Sequence, residues 1–169
     1  MADTVSKEKR SEIMSHVTGK ETKPEIIVRK YLFARGLRYR KNVKRLPGTP
    51  DIVLSKYKTA VFVNGCFWHG HKECKYSHLP STNLEYWEKK IADNLERDER
   101  KKHELEELGY RVLTVWQCQL KPRVRKENLE RLTNEIISDI VLSILRTASL
   151  CLPRIKASDS EVVSFFAQE

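Results

Sequence analysis

The sequence predicts one α/β domain with the element order α, β, β, β, α, β and a trailing helix. Three observations carry that prediction: a capping-box helix opening near residue 22, two short β-rich runs after a Pro/Gly turn, and a long charged helix closed by glycine before an apolar strand. At 169 residues the chain has room for one core of ordinary size. With 33% charged and 40% hydrophobic residues it does not have the composition of a disordered protein.

Thr22-Lys-Pro-Glu25 is a capping box with proline in the first turn, and Ile27, Val28, Tyr31 and Leu32 follow at helical spacing up to Gly36. A helix over 22–35 is expected. Leu37-Arg-Tyr-Arg-Lys-Asn-Val43 alternates as a half-exposed strand does, and Leu46-Pro-Gly-Thr-Pro50 is a turn. Residues 51–54 and 59–63 are β-rich around a four-residue polar turn, which predicts a hairpin. Residues 65–81 show no apolar period and carry three histidines and two cysteines, so they form a loop that something other than a core must order. Thr82-Asn-Leu-Glu85 has the form of a second capping box, opening a helix with the stripe Trp87, Ile91, Leu95, Leu105 and Leu108, closed by Gly109. Residues 110–116 form an apolar strand. In the tail, Ile136, Ile137, Ile140, Val141, Ile144, Leu145 and Ala148 recur at helical spacing and are expected to pack on the core.

Charge is unevenly distributed. Residues 1–50 hold 13 basic and 5 acidic side chains, whereas residues 51–169 hold 19 and 18. A positive field confined to the first third favours a polyanionic partner such as nucleic acid. The N-terminus has no apolar leader and the run 136–152 is too polar to span a bilayer, so a soluble, cytoplasmic protein without membrane contact is expected.

Cys66-Phe-Trp-His69-Gly-His71-Lys-Glu-Cys74, with Cys118 just after a strand, is the most specific feature. Cys66, His71, Cys74 and Cys118 supply the four donors of a closed structural zinc site, with His78 the substitute ligand. Buried free cysteines are the alternative; zinc is favoured because the loop is otherwise poorly packed. Cys151 lies in the apolar tail and reads as a core residue. With four donors already present, His69 is left as a free imidazole suited to accept a proton from water. Asp51, following Pro50 at a strand start, stands where a carboxylate binds magnesium in a nuclease, or else caps a turn. Glu25 is equally explained by its capping box.

Taken together, Leu46-Pro-Gly-Thr-Pro-Asp51, Phe62-Val-Asn-Gly-Cys-Phe-Trp-His69, Glu85-Tyr-Trp87, Asn94-Leu-Glu-Arg-Asp98 and Glu107-Leu-Gly-Tyr-Arg-Val-Leu-Thr-Val-Trp-Gln-Cys118 resemble the bacterial very short patch repair endonucleases, in order and with nearly unbroken spacing. The resemblance implies a restriction-endonuclease-like fold with a structural zinc. It also implies a magnesium-dependent nick on the 5′ side of the thymine in a T:G mismatch, the lesion left by deamination of 5-methylcytosine. By the same resemblance Asp51 and Val63 hold Mg2+, His69 is the general base, Glu25 assists at the scissile phosphate, and Cys66, His71, Cys74 and Cys118 hold Zn2+, with one extra residue between the second and third ligands. Phe67, Trp68 and Trp87 correspond to aromatics that wedge into the base stack, and Met14 and Val17 to apolar residues of an arm entering the minor groove.

The resulting organisation is a basic DNA-binding arm over 1–20, a zinc-containing endonuclease domain over 21–150 and a tail over 151–169. The expected partners are double-stranded DNA with a mismatch and proteins of the repair pathway, the expected state is a monomer, and nucleoid association follows from DNA binding. Asn64 departs from the pattern, since the family usually has a second catalytic histidine there; asparagine can donate a hydrogen bond but cannot shuttle a proton. Two other readings compete: a restriction-type endonuclease of broader specificity on the same scaffold, and a zinc-ordered DNA-binding protein whose catalysis is impaired through Asn64. Intact Asp51 and His69 weigh against the second of these, and the aromatic wedge against the first.

Overall fold

The computed structural model describes residues 21–150, the side chains of 139–150 excepted, together with residues 6, 9, 11, 12 and 15. Met14, Val17 and Cys151 lie outside the described residues. The chain divides into two units, Met1–Ile137 and Ser138–Glu169, the second described as helix up to residue 150.

Helix α1 runs Lys23–Ala34, and its capping box forms as expected: Thr22 Oγ1 accepts from the Glu25 N–H, and a Glu25 carboxylate oxygen accepts from the Thr22 N–H. The strand expected over 37–43 shrinks to β1, Arg40–Lys41. Leu37 is instead buried as the helix stop, its N–H on the Leu32 carbonyl at 3.0 Å, and Asn42 leaves the extended region with φ 47°. The hairpin forms: β2 (Ile52–Leu54) pairs antiparallel with β3 (Thr59–Asn64) through a short 3-10 turn at Ser55–Tyr57, in the register Ile52↔Val61 and Leu54↔Thr59. Helix α2, Leu84–Glu107, then carries the chain to β4, Arg111–Trp116, which lies parallel to β3 from Thr59↔Arg111 to Asn64↔Trp116. A parallel pair requires such a crossover. The four strands lie in the order β1-β2-β3-β4.

Two expectations for α2 are corrected. Its first turn has no capping box, because the helix begins at Leu84 with Asn83 in the left-handed region (φ 54°) as the cap residue, which moves Thr82 outside the helix. Its apolar stripe is also narrower: Ile91 and Leu105 are buried, whereas Leu95, beside Gly70, is 45% exposed and Leu108, the helix cap, is 53% exposed. Helix α3, Arg125–Leu150, buries Leu129, Leu132 and Ile136 as expected of a core helix, while Ile137 is half-exposed. The side chains of Ile140, Val141, Ile144, Leu145 and Ala148 lie outside the described residues.

The main core joins Val28 and Leu32 of α1, Leu37, the inward residues Ile52, Leu54, Val61, Leu113 and Val115 of the sheet, Leu120, and the three α3 residues. Val53 and Ala60 occupy the alternate positions and are buried on the other face, as the period of two requires. The hairpin that Asp51 precedes is thus covered on both faces. Among the described residues, no helix is long and apolar enough to cross a membrane.

Candidate active site

Asp51 directly follows a fully buried proline and precedes β2. Its side chain does not cap a local turn. Oδ2 accepts from the N–H of Val63 across the hairpin at 2.8 Å, which places Val63 beside the carboxylate. The Asp51 carbonyl accepts from the Asn42 N–H at 3.4 Å and from Arg29 Nη2 at 3.3 Å. Burial raises the Asp51 carboxyl above the ordinary carboxylate range; the Val63 N–H offsets part of this, the Glu25 charge adds to it, and Arg29 and His69 oppose it. A hard cation at this half-buried carboxylate would relieve the same burden, so the donor chemistry suits Mg2+.

Glu25 serves its helix and the site together. One carboxylate oxygen accepts from the Thr22 N–H at 3.3 Å and from the Thr22 hydroxyl at 2.8 Å, while the other accepts from Arg29 Nη2 at 2.8 Å and from the Glu21 N–H at 3.2 Å. Both side chains are buried. The capping box and the proximity to Asp51 are therefore compatible, which the sequence left open.

His69 sits on a tight loop in which its N–H bonds to the Gly65 carbonyl at 3.2 Å and the His71 N–H to the Cys66 carbonyl at 3.0 Å. Its Nδ1 is hydrogen-bonded to Asp98 Oδ2 from α2. A carboxylate there selects the tautomer with the proton on Nδ1 and leaves Nε2 as the acceptor. Burial pushes the Asp98 carboxyl up, but the His69 ring and the adjacent Arg97 guanidinium together hold it below its ordinary value. One turn earlier on α2, the buried Asn94 donates to the Trp68 carbonyl at 3.0 Å. Sequence reasoning missed both roles. The signal lay in the spacing Asn94 to Asp98, which puts two polar side chains on one face of a helix otherwise read for its apolar stripe.

Phe67, Trp68 and Trp87 come together in one cluster. Their rings meet edge to face, with centroids 5.2 Å apart for Phe67–Trp68 and Phe67–Trp87 and 5.9 Å for Trp68–Trp87. Tyr86 joins them at 5.2 Å from Trp87 and is 61% exposed; the sequence reading had not included it. Asn64 ends β3, half-buried and opposite Trp116.

The ligand atoms of Cys66, His71, Cys74 and Cys118 all lie within 4.8 Å of one another, with Cys118 Sγ 3.4 Å from His71 Nδ1. A zinc tetrahedron with Zn–S of about 2.3 Å has edges of about 3.8 Å, so the donor set fits that ion in type and spacing. Burial, then the neighbouring Cys66 and Cys74 thiols, push Cys118 up to about 12. Three thiols crowded in this way need a shared cation to ionise together. The His71 ring stacks on Trp116, centroids 4.1 Å apart and 5° from parallel, and Ser77 Oγ donates to the carbonyls of His71 and Cys74. His78, the expected substitute, stands outside the cluster.

A mixed sheet with a half-buried carboxylate at a strand start, a carboxylate-oriented histidine nearby and a basic chain fits a DNA endonuclease of the restriction-endonuclease-like fold, and comparison with known proteins shows that class. A family model described as DNA mismatch endonuclease Vsr matches residues 2–75. The chain is 52% identical over 137 residues to the type II nicking enzyme V.NmeAIP of Neisseria meningitidis, covering 80% of this chain and 97% of that protein. It is 48% identical over 120 residues to the type II nicking enzyme V.XorIIP of Xanthomonas oryzae, covering 71% of this chain and 88% of that protein. It is 40% identical over 139 residues to the DNA mismatch endonuclease Vsr of Escherichia coli, covering 82% of this chain and 85% of that protein. The chain belongs to the Vsr family of DNA mismatch endonucleases.

Proposed function

We propose that this endonuclease nicks one strand of duplex DNA on the 5′ side of the thymine in a T:G mismatch, with Mg2+ at Asp51 and Val63 and with zinc held by Cys66, His71, Cys74 and Cys118. The observation that carries the reading is the loop over 65–71, which presents Phe67, Trp68 and His69 side by side between two cluster residues, with His69 in electrostatic reach of Asp51. Bound there, Mg2+ supplies a counter-charge for the phosphate on which negative charge develops.

The chain's own residues supply the rest. His69 Nε2 accepts a proton from water as the water oxygen bonds to phosphorus and the P–O bond to the leaving sugar oxygen breaks; that oxygen takes a proton from solvent water and departs as a hydroxyl, and the imidazolium then returns its proton to solvent. Asp98 holds the ring in the tautomer this requires and stabilises the imidazolium. Glu25 adds a second carboxylate beside the scissile phosphate. Phe67, Trp68 and Trp87, with the exposed Tyr86, offer flat apolar surfaces that enter a base stack, and a mismatched pair costs less to unstack than a matched one. A wedge of this kind supports mismatch recognition over cleavage of intact duplex. The basic first third neutralises phosphates, with Met14 and Val17 assigned to the minor-groove arm.

The test is incubation with labelled duplexes, matched or carrying each mismatch, with and without Mg2+. Nicks confined to the thymine strand of T:G duplexes are expected only with the metal. Double-strand cuts in matched duplex would transfer the reading to a restriction-type enzyme.

A further inference from the structure

Arg29 lies one turn after Glu25 on α1 with its side chain 6% exposed, and the chemistry above does not use it. A buried guanidinium needs acceptors, and this one has them on three separate segments. Nη2 lies 2.8 Å from Glu25 Oε2, 3.3 Å from Asn42 Oδ1 and 3.3 Å from the Asp51 carbonyl oxygen, and Nη1 lies 3.4 Å from Glu21 Oε1. Asn42, in the left-handed region, gives its own N–H to the same Asp51 carbonyl. An ion pair that served only the helix would stop at Glu25. Here the same nitrogen reaches on to the backbone of the residue that opens β2.

We propose that Arg29 is a positioning residue for strand cleavage, a rigid fork that sets the Glu25 and Asp51 carboxylates relative to each other without touching DNA. This rests on the reading of Asp51 and Glu25 as the acidic residues of the site. The two nitrogens of the guanidinium are what the role requires: Nη2 reaches the three segments while Nη1 is anchored on Glu21, and a lysine ammonium keeps the charge beside Glu25 but has no second nitrogen to fix its orientation.

The experiment compares single-turnover nicking and mismatched-duplex affinity for Arg29→Lys in the full chain, alone and combined with Glu25→Gln. Arg29→Lys is expected to lower the nicking rate about tenfold with affinity within about twofold, because only groups at the phosphate are displaced. In the Glu25→Gln background the same change is expected to cost about threefold or less, the non-additivity of residues acting as one unit. A wild-type rate, equal losses in rate and affinity, or full additivity would each overturn the inference. If Arg29→Lys melts below the assay temperature, Asn42→Gly decides: it keeps the left-handed backbone and the N–H to Asp51 and deletes one acceptor. A rate reduced about threefold at unchanged affinity supports the clamp, and an unchanged rate overturns it. Asp51→Asn separates the two levels. Nicking that survives it refutes the site itself, whereas an inactive Asp51→Asn beside a fully active Arg29→Lys refutes the clamp alone.

Discussion

The hairpin that carries Asp51 and the loop that carries His69 are held by different physics. Asp51 follows a buried proline and opens a strand in which Ile52, Val53 and Leu54 are all buried, so apolar burial and ladder bonds place it. Across residues 65–81 only Cys66 is deeply buried; the segment is held by bonds to Asn94 and Asp98, by the Phe67, Trp68 and Trp87 rings, by the approach of Gly70 to Ile91 and Leu95, by the Ser77 hydroxyl and by the cysteine/histidine cluster. The proposed metal carboxylate and the proposed base can therefore fail separately, one with the core and the other with the cluster.

The largest effect should come from breaking the loop alone. Cys74→Ala, or removal of zinc by a strong chelator, is expected to bring nicking below detection and to abolish mismatch binding, since base and wedge share that loop. Hydrogen exchange should show the 65–77 amides opening while those of Val53 and Val61 stay protected. Normal nicking by Cys74→Ala would remove the metal from the account of the loop.

Point changes at the two carriers come next. Asp51→Asn and His69→Ala are each expected to cut the nicking rate by about 100-fold or more while mismatch binding and zinc content stay as in wild type. Near wild-type nicking by His69→Ala would pass the role of base to Glu25.

Asp98→Asn should cost less, about tenfold in rate at unchanged affinity, because it disturbs the orientation and tautomer of His69 and leaves the ring in place. The sign of its pH dependence follows from the lowered Asp98 value. Folding favours the charged carboxylate, so that stability is fully present above the ordinary carboxylate range and is lost as the pH falls through the lowered value. The gap in Tm between wild type and Asp98→Asn should therefore be widest near neutral pH and close below about pH 4. A gap that widened in acid would contradict a folded state that favours the charged Asp98 carboxylate.

The smallest expected effect is at the end of the hairpin. Asn64→His should raise the rate or narrow the range of mismatches cut by about threefold, since a hydrogen-bond donor becomes a group that also moves a proton. No change in either would leave position 64 without a part in the chemistry.

The residue sequence by itself determined the parts that depend on local rules. The capping box at Thr22 and Glu25, the β-rich runs around residues 55–58 and the spacing Cys66, His71, Cys74 all follow from short-range geometry, and all form. The order α, β, β, β, α, β was legible for the same reason. One local signal failed, the box at Thr82–Glu85, because Asn83 took the cap position; the other failures depended on who packs against whom: the strand over 37–43 was cut short once Leu37 was drawn into the core and Asn42 turned left-handed, and Leu95 was left exposed beside Gly70. The support of the site was equally invisible, because Asp98 meets His69 across 29 residues and Arg29 meets the Asp51 carbonyl across 22. Periodicity records which face a residue takes, whereas a hydrogen bond between distant segments exists only after the sheet and its crossover have brought them together. Only the tertiary structure could therefore decide how the acidic residues and the histidine are held.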